Sequence, residues 1–167
     1  MPYCKSDYKI IRVTPTLDTN EYDSGDVLFH SLEIPDAVIG LGGCSKLVAM
    51  FVVSQNATDV DMEFIFSENT LALGTQNATA DVADSAIEAA NITGHLVLDA
   101  NEGKTSHIDT SKIFRVSDAG NASANWGAGP ILLQAADDST SVYVGGLGGA
   151  TVTYAADDID LILHLER

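Results

Sequence analysis

Positive charge is scarce in this chain: eight Lys and Arg stand against 24 Asp and Glu, a formal net charge of −16 over 167 residues. A field of that sign repels phosphates, so the composition argues against binding to nucleic acid or to an anionic membrane. It fits a neutral or basic partner surface, or a charge that serves solubility alone. Aromatics are also few, at 7% of the chain, which leaves Val, Ile, Leu and Ala to build the core. Cysteine is limited to Cys4 and Cys44, and without a secretory segment the pair reads as free thiols. Cys44, between glycines and an apolar run, is expected to be a small buried hydrophobe. Long hydrophobic runs are missing as well. "LVAMFVV" and "DLILHL" fall far short of the roughly 20 residues of a membrane-spanning helix. The N-terminal stretch has no apolar segment of the ~7–15 residues that a signal peptide needs, so a cytosolic origin is expected.

What the chain does have is alternation. In "DVDMEFIFS" Val60, Met62, Phe64 and Phe66 point one way while Asp61, Glu63 and Ser67 point the other, the pattern of a half-buried strand. Near the C-terminus Ile159, Leu161, Leu163 and Leu165 alternate with Asp160, His164 and Glu166, and Ile162 alone breaks the polar face. Further strands are expected at 8–14, 26–34, 46–54, 94–100, 111–117, 130–135, 140–146 and 150–154, separated by turn-forming clusters. One segment differs: Val82, Ala83, Ala86, Ile87 and Ala90 recur at helical spacing, with Asp81 and Asp84 at its start and Gly94 at its close. This predicts one short helix, about 80–91, crossing an end of the sandwich. The expected fold is all-β: an antiparallel, jelly-roll-like β-sandwich forming a single domain over 1–167, with a short N-terminal arm, about 1–9.

The search for chemistry returns little. "GLGG" occurs at 40–43 and 146–149, but each is followed by a strand-like run. A phosphate cradle needs a helix whose first amides face the anion. Both tetrads are therefore expected to be places where the chain reverses, with glycine supplying positive φ. His30, His95, His107 and His164 lack metal-ligand spacing, and no GxSxG elbow accompanies a nucleophile. "DTNEYDSGD" gathers Asp18, Asn20, Asp23 and Asp26 without the order of a calcium-binding loop; a solvated turn is the plainer reading. A glycosidase-like carboxylate pair would want a cleft with several aromatics, and this chain has one Trp. The expectation is no enzyme, no cofactor, no catalytic residue and no metal ligand.

The stretches "VTPTLDTNEYDSGDVLFHSLEIPDAV", "GGCSKLVAMFVVSQNATDVDMEFIFSENTLALGTQNATADVADSAI" and "GPILLQAADDSTSVYVGGLGGATVTYAADDIDLILHLE" together resemble a group of small proteins of marine tailed bacteriophages and cyanophages. The likeness runs from about 12 to 166. It implies a virion structural component that decorates or cements the outside of the head, synthesised in the host cytoplasm. The implied partner is the major capsid protein, with a homo-oligomer, a trimer by preference, as the assembled form. Contacts are expected from Tyr3, Lys5, Tyr8 and Lys9 of the N-terminal arm and from Trp126 in a Gly- and Asn-rich loop. Each has a plainer alternative: the arm as a frayed terminus, and Trp126 as a cap on the core edge. Two other functions stay open at this stage. One is a carbohydrate- or receptor-binding module on a head fibre or tail, using Trp126 as a platform; the other is a small hydrolase without a familiar motif.

Overall fold

The computed structural model describes residues 7–58, 60–100, 106–108, 110–116 and 130–167. These form an all-β antiparallel sandwich with one short helix. The larger sheet contains β1 (Tyr8–Val13), β4 (Cys44–Ser54), β7 (Ser106–Ile108), β8 (Ser111–Val116), β9 (Ile131–Gln134) and β12 (Ile159–Glu166). Its order is β1-β12-β4-β8-β7, with β9 also paired to β4. The smaller sheet, in order β3-β10-β5-β6, is made of β3 (Val27–Ile34), β10 (Val142–Gly148), β5 (Met62–Ser67) and β6 (Ile92–Leu98). β2 (Glu21–Tyr22) and β11 (Val152–Thr153) pair separately at one end.

Alternation decides which side chains meet between the sheets. Leu161, Leu163 and Leu165 of β12, Met62, Phe64 and Phe66 of β5, Val142 and Val144 of β10, and Phe114 of β8 are all buried in one core cluster. Tyr22 and Tyr154 close its end, ring against ring at 6.1 Å and 61°.

β4 contains a phase change that its sequence conceals. Its partner register with β12 jumps from His164↔Ala49 to Leu165↔Leu47, leaving Val48 as an extra residue. Ser45 and Leu47 face inward before this bulge, and Met50, Val52 and Ser54 after it. A bulge adds one residue to one strand and so resets the two-residue period. On the other edge of β4, Val116 of β8 lies opposite Met50, and Ile131 of β9 lies opposite Leu47. The chain thus leaves and rejoins a single edge at the bulge.

The two sheets differ in what lies outside them. The segment 71–90 lies over the outer face of the smaller sheet: Leu71, Leu73 and Ala90 form a second cluster with Val27, joined by Ile65, Val82, Ala86 and Leu147. Ser31 anchors this cover, donating its hydroxyl to the Leu71 carbonyl at 2.8 Å and accepting the Leu71 amide. The helix, α1 (Asp84–Ala90), belongs to the cover instead of crossing an end of the sandwich. It is shorter than expected chiefly at its start, because Ala83 is extended at ψ 141°; at its end Asn91, at φ 51°, stops it and β6 starts at once. Gly94 lies within β6, where a side chain would run into Ile131 of the opposite sheet.

The two glycine tetrads part company. Gly40 and Gly42 adopt φ of 76° and 65° and do reverse the chain between β3 and β4, as expected. The second tetrad does not: Gly146, Leu147 and Gly148 are strand residues of β10. There a Cβ on Gly146 would collide with the Phe29 ring, and one on Gly145 would lie 2.7 Å from Leu73 Cδ1. Their role is close approach, of Gly146 to a neighbouring strand and of Gly145 to the cover.

Candidate interaction surface

No segment of the described chain packs over the larger sheet's outer face in the way that the cover packs over the smaller one. Its apolar content follows from strands that are hydrophobic at both parities. β4 offers Phe51 and Val53 outward, β12 offers Ile162, and β8 offers Ile113, all half-buried by their neighbours. Around this strip lie more exposed apolar groups: Ile10 at 65%, Leu132 at 58% and Ile108 at 57%. Register sets the middle row as Arg12, Ile162, Phe51 and Arg115 across β1, β12, β4 and β8. His164 leans on Phe51, ring centres 5.2 Å apart.

Charge is more one-sided than hydrophobicity, because Ile87 of α1 and Ile92 and Val97 of β6 are also exposed on the smaller-sheet side. Lys9, Arg12, Lys46, Lys112 and Arg115 lie in strands of the larger sheet, and Arg167 follows β12 directly. Among the described residues the smaller sheet, α1, β2 and β11 carry no Lys or Arg. On the bare face Arg12 pairs with Asp160 at 3.4 Å and Lys46 with Glu166 at 3.5 Å. Thr14 also donates its hydroxyl to Asp160. Exposed pairs of this kind are worth only about 0–1 kcal/mol each, but they neutralise both carboxylates of the face. Arg115 has no carboxylate partner among the described residues. The cover and the smaller sheet, by contrast, present Glu33, Glu63, Asp81, Asp84 and Glu88.

Of the contact residues expected from sequence, Tyr8 and Lys9 form the start of β1. Tyr8 projects from the bare face, 67% exposed, opposite Glu166. Lys9 points the other way and is engaged, donating to the Asp36 carbonyl at 3.2 Å and lying 3.6 Å from its carboxylate. Tyr3, Lys5 and Trp126 lie outside the described residues. Sequence reasoning missed Ile10, Phe51, Ile162 and Arg115. The available signals were Ile162, which breaks the alternation of β12, and a β4 that is apolar on both faces.

The first glycine tetrad forms an apolar tip. Ile39 and Leu41 are 58% and 68% exposed, on a turn braced by the Gly42 amide, which donates to the carbonyls of Ala136 and Ser139 at 3.1 and 3.0 Å. Cys44 just beyond is a free, exposed thiol, which corrects the expectation of burial. Alternation sends Ser45 and Leu47 inward, and Cys44 with Lys46 outward.

The acidic loop is built of turn-locking carboxylates. Asp18 accepts the Asn20 amide and Asp26 accepts the Asp23 amide, both at 2.7 Å. At the same end Asp158 accepts the Ala155 amide at 2.7 Å. Among the described residues no group of three or more His, Cys, Asp or Glu is placed to hold a metal ion. No described helix is long and apolar enough to cross a membrane. Burial pushes the Tyr22 phenol up, partly offset by hydrogen bonds from the Asp18 amide and Gln76, while Asp18 and Asp26 add to the rise. Burial also raises Tyr154 strongly, with Asp158 and Tyr22 adding to it.

No protein-family model matches the chain, and no curated protein matches it. Among solved structures it is similar to the infectious bursal disease virus VP2 subviral particle, at 15% identity and a TM-score of 0.19. That alignment covers 97% of this chain and 38% of the other, so the chain spans well under half of its length. A TM-score this low carries no argument about architecture or function.

Proposed function

We propose that this protein is a virion structural component that decorates the outside of a phage head and stabilises the shell. It acts by binding, with no catalytic step, on the major capsid protein, and several copies, trimers at local three-fold positions, share the load. The sidedness of the molecule carries the reading. The chain's own cover lies over part of one sheet, which faces solvent with strong negative charge, whereas the other, covered by no described segment, presents an apolar, nearly neutral face. Such a body suits attachment by one side to a large support, with its acidic side outward.

The mechanism is linkage. A protein that binds the assembled shell and not its disassembled subunits stabilises the shell by RT ln(1 + [L]/Kd) per site. The size of the sheet limits how tight one contact can be. Strands ~4.8 Å apart and rising ~3.4 Å per residue give a footprint of roughly 500 Å² per partner. That is at or below the low end for a specific interface, so repeated copies and avidity supply the rest. The test is to add purified protein to phage heads that lack it. Saturable binding, with a rise in the temperature at which the heads open, is expected; heads that neither bind it nor gain stability would refute the reading.

A further inference from the structure

We infer that the outer face of the larger sheet is the docking face, and that its partner is a protein surface with an apolar centre and a carboxylate placed to meet Arg115. The inference rests on the head-binding reading and adds to it the face used and the chemistry recognised. The strip of Ile162, Phe51, Val53 and Ile113 is continuous across three adjacent strands. It is half-buried, so its side chains already have limited freedom, and ordering them on binding costs little. Arg12, Lys46 and Arg115 surround it. Two of these cations are matched by carboxylates of their own face, which leaves Arg115 as the group with binding capacity to spare. A guanidinium carries a planar fork of donors that fits a carboxylate in two parallel bonds.

The same arrangement argues against a second copy as the occupant. An aligned, two-fold stacking centred on the Phe51–Ile162 row sets the Arg12 and Arg115 ends of one copy against those of the other. Asp160 and Glu166 are already engaged. Such a contact brings like charges together and supplies no carboxylate for Arg115. Polyanions are disfavoured by the net charge of −16. A carboxylate-bearing protein surface satisfies both the apolar strip and its unmatched cation.

The experiment compares wild-type protein with Phe51→Ser, Ile162→Ser, Arg115→Glu, Arg115→Lys and Glu88→Lys, the last on α1 and far from the face. Each is checked for an unchanged fold by its melting transition and then titrated onto phage heads lacking the protein. Phe51→Ser and Ile162→Ser should weaken binding about 10- to 100-fold. Arg115→Glu should weaken it by at least as much, Arg115→Lys by less, and Glu88→Lys not at all. Wild-type binding that survives all the face variants overturns the inference and leaves the head-binding reading standing. No binding by the wild type overturns both. A dimer in sedimentation that Phe51→Ser dissolves puts a second copy on the face and also overturns the inference.

Discussion

Gly146 shows how a single missing side chain sets the packing of a sheet. The Phe29 ring occupies the space that a Cβ would fill, so Gly146→Ala should cost about 1–3 kcal/mol through overpacking. For a chain of this size that lowers Tm by roughly 2–4 °C per kcal/mol. Adding Phe29→Leu should recover part of the loss, a non-additivity that thermal melts of the double mutant would reveal. The two core tyrosines should behave in opposite ways. The Tyr22 hydroxyl accepts the Asp18 amide at 2.6 Å, so Tyr22→Phe strands that amide and should cost about 1 kcal/mol. The Tyr154 hydroxyl is buried with no hydrogen-bond partner among the described residues, so Tyr154→Phe should be neutral or stabilising. Because the folded state raises the pKa of both phenols, their neutral forms are favoured on folding. That contribution is complete below the unfolded value near 10 and is lost as pH rises above it towards the folded values. Denaturant melts from pH 8 to 11 should show falling stability above pH 10, with a shallower fall in Tyr154→Phe.

At the scale of the element, the bulge at Val48 is the critical feature of β4. Deleting Val48 would restore strict alternation and turn either Ser45 and Leu47 or Met50 and Val52 to solvent. The expected result is loss of several kcal/mol and of most soluble protein, whereas Val48→Ala, which keeps the count, should cost about 1 kcal/mol or less. Expression yield and melting temperature separate the two. The strands legible in the sequence were those with one apolar parity, such as Met62–Ser67 and Ile159–Glu166. β4 was legible as a strand, but its bulge was not, because "LVAMFVV" is apolar at both parities and no residue marks the change of phase. The helix was placed correctly but drawn too long. Its spacing continues through Val82 and Ala83, yet Ala83 is extended at ψ 141° and Val82 packs in the cover instead. The second glycine tetrad was misread because glycine marks turns and close contacts with the same letter, and only the partner side chain tells them apart.

The whole molecule is organised by the contrast between its sheets. The cover of 71–90 supplies the smaller sheet with a second apolar layer. Among the described residues no segment covers the apolar strip of the larger sheet, and the described cations gather in its strands and at Arg167. Composition announced the scarcity of cations but not their placement, which arises only when β1, β4 and β8 enter one sheet. The candidate site was therefore legible only at Tyr8. Long-range pairing brought Ile10, Phe51, Ile162 and Arg115 together from four separate segments of the chain, and no local pattern carries that information. The contact between Arg115, the face's one unmatched cation among the described residues, and a partner carboxylate should make binding to heads weaken as salt is raised, with a smaller salt dependence in Arg115→Gln than in wild type. The most direct measurement is the equilibrium titration of wild-type and Arg115→Glu protein onto phage heads lacking the protein. The account predicts saturable wild-type binding at many copies per head and a loss of affinity of about tenfold or more in the variant. Heads that fail to bind the wild type, or that bind both proteins equally well, would contradict it.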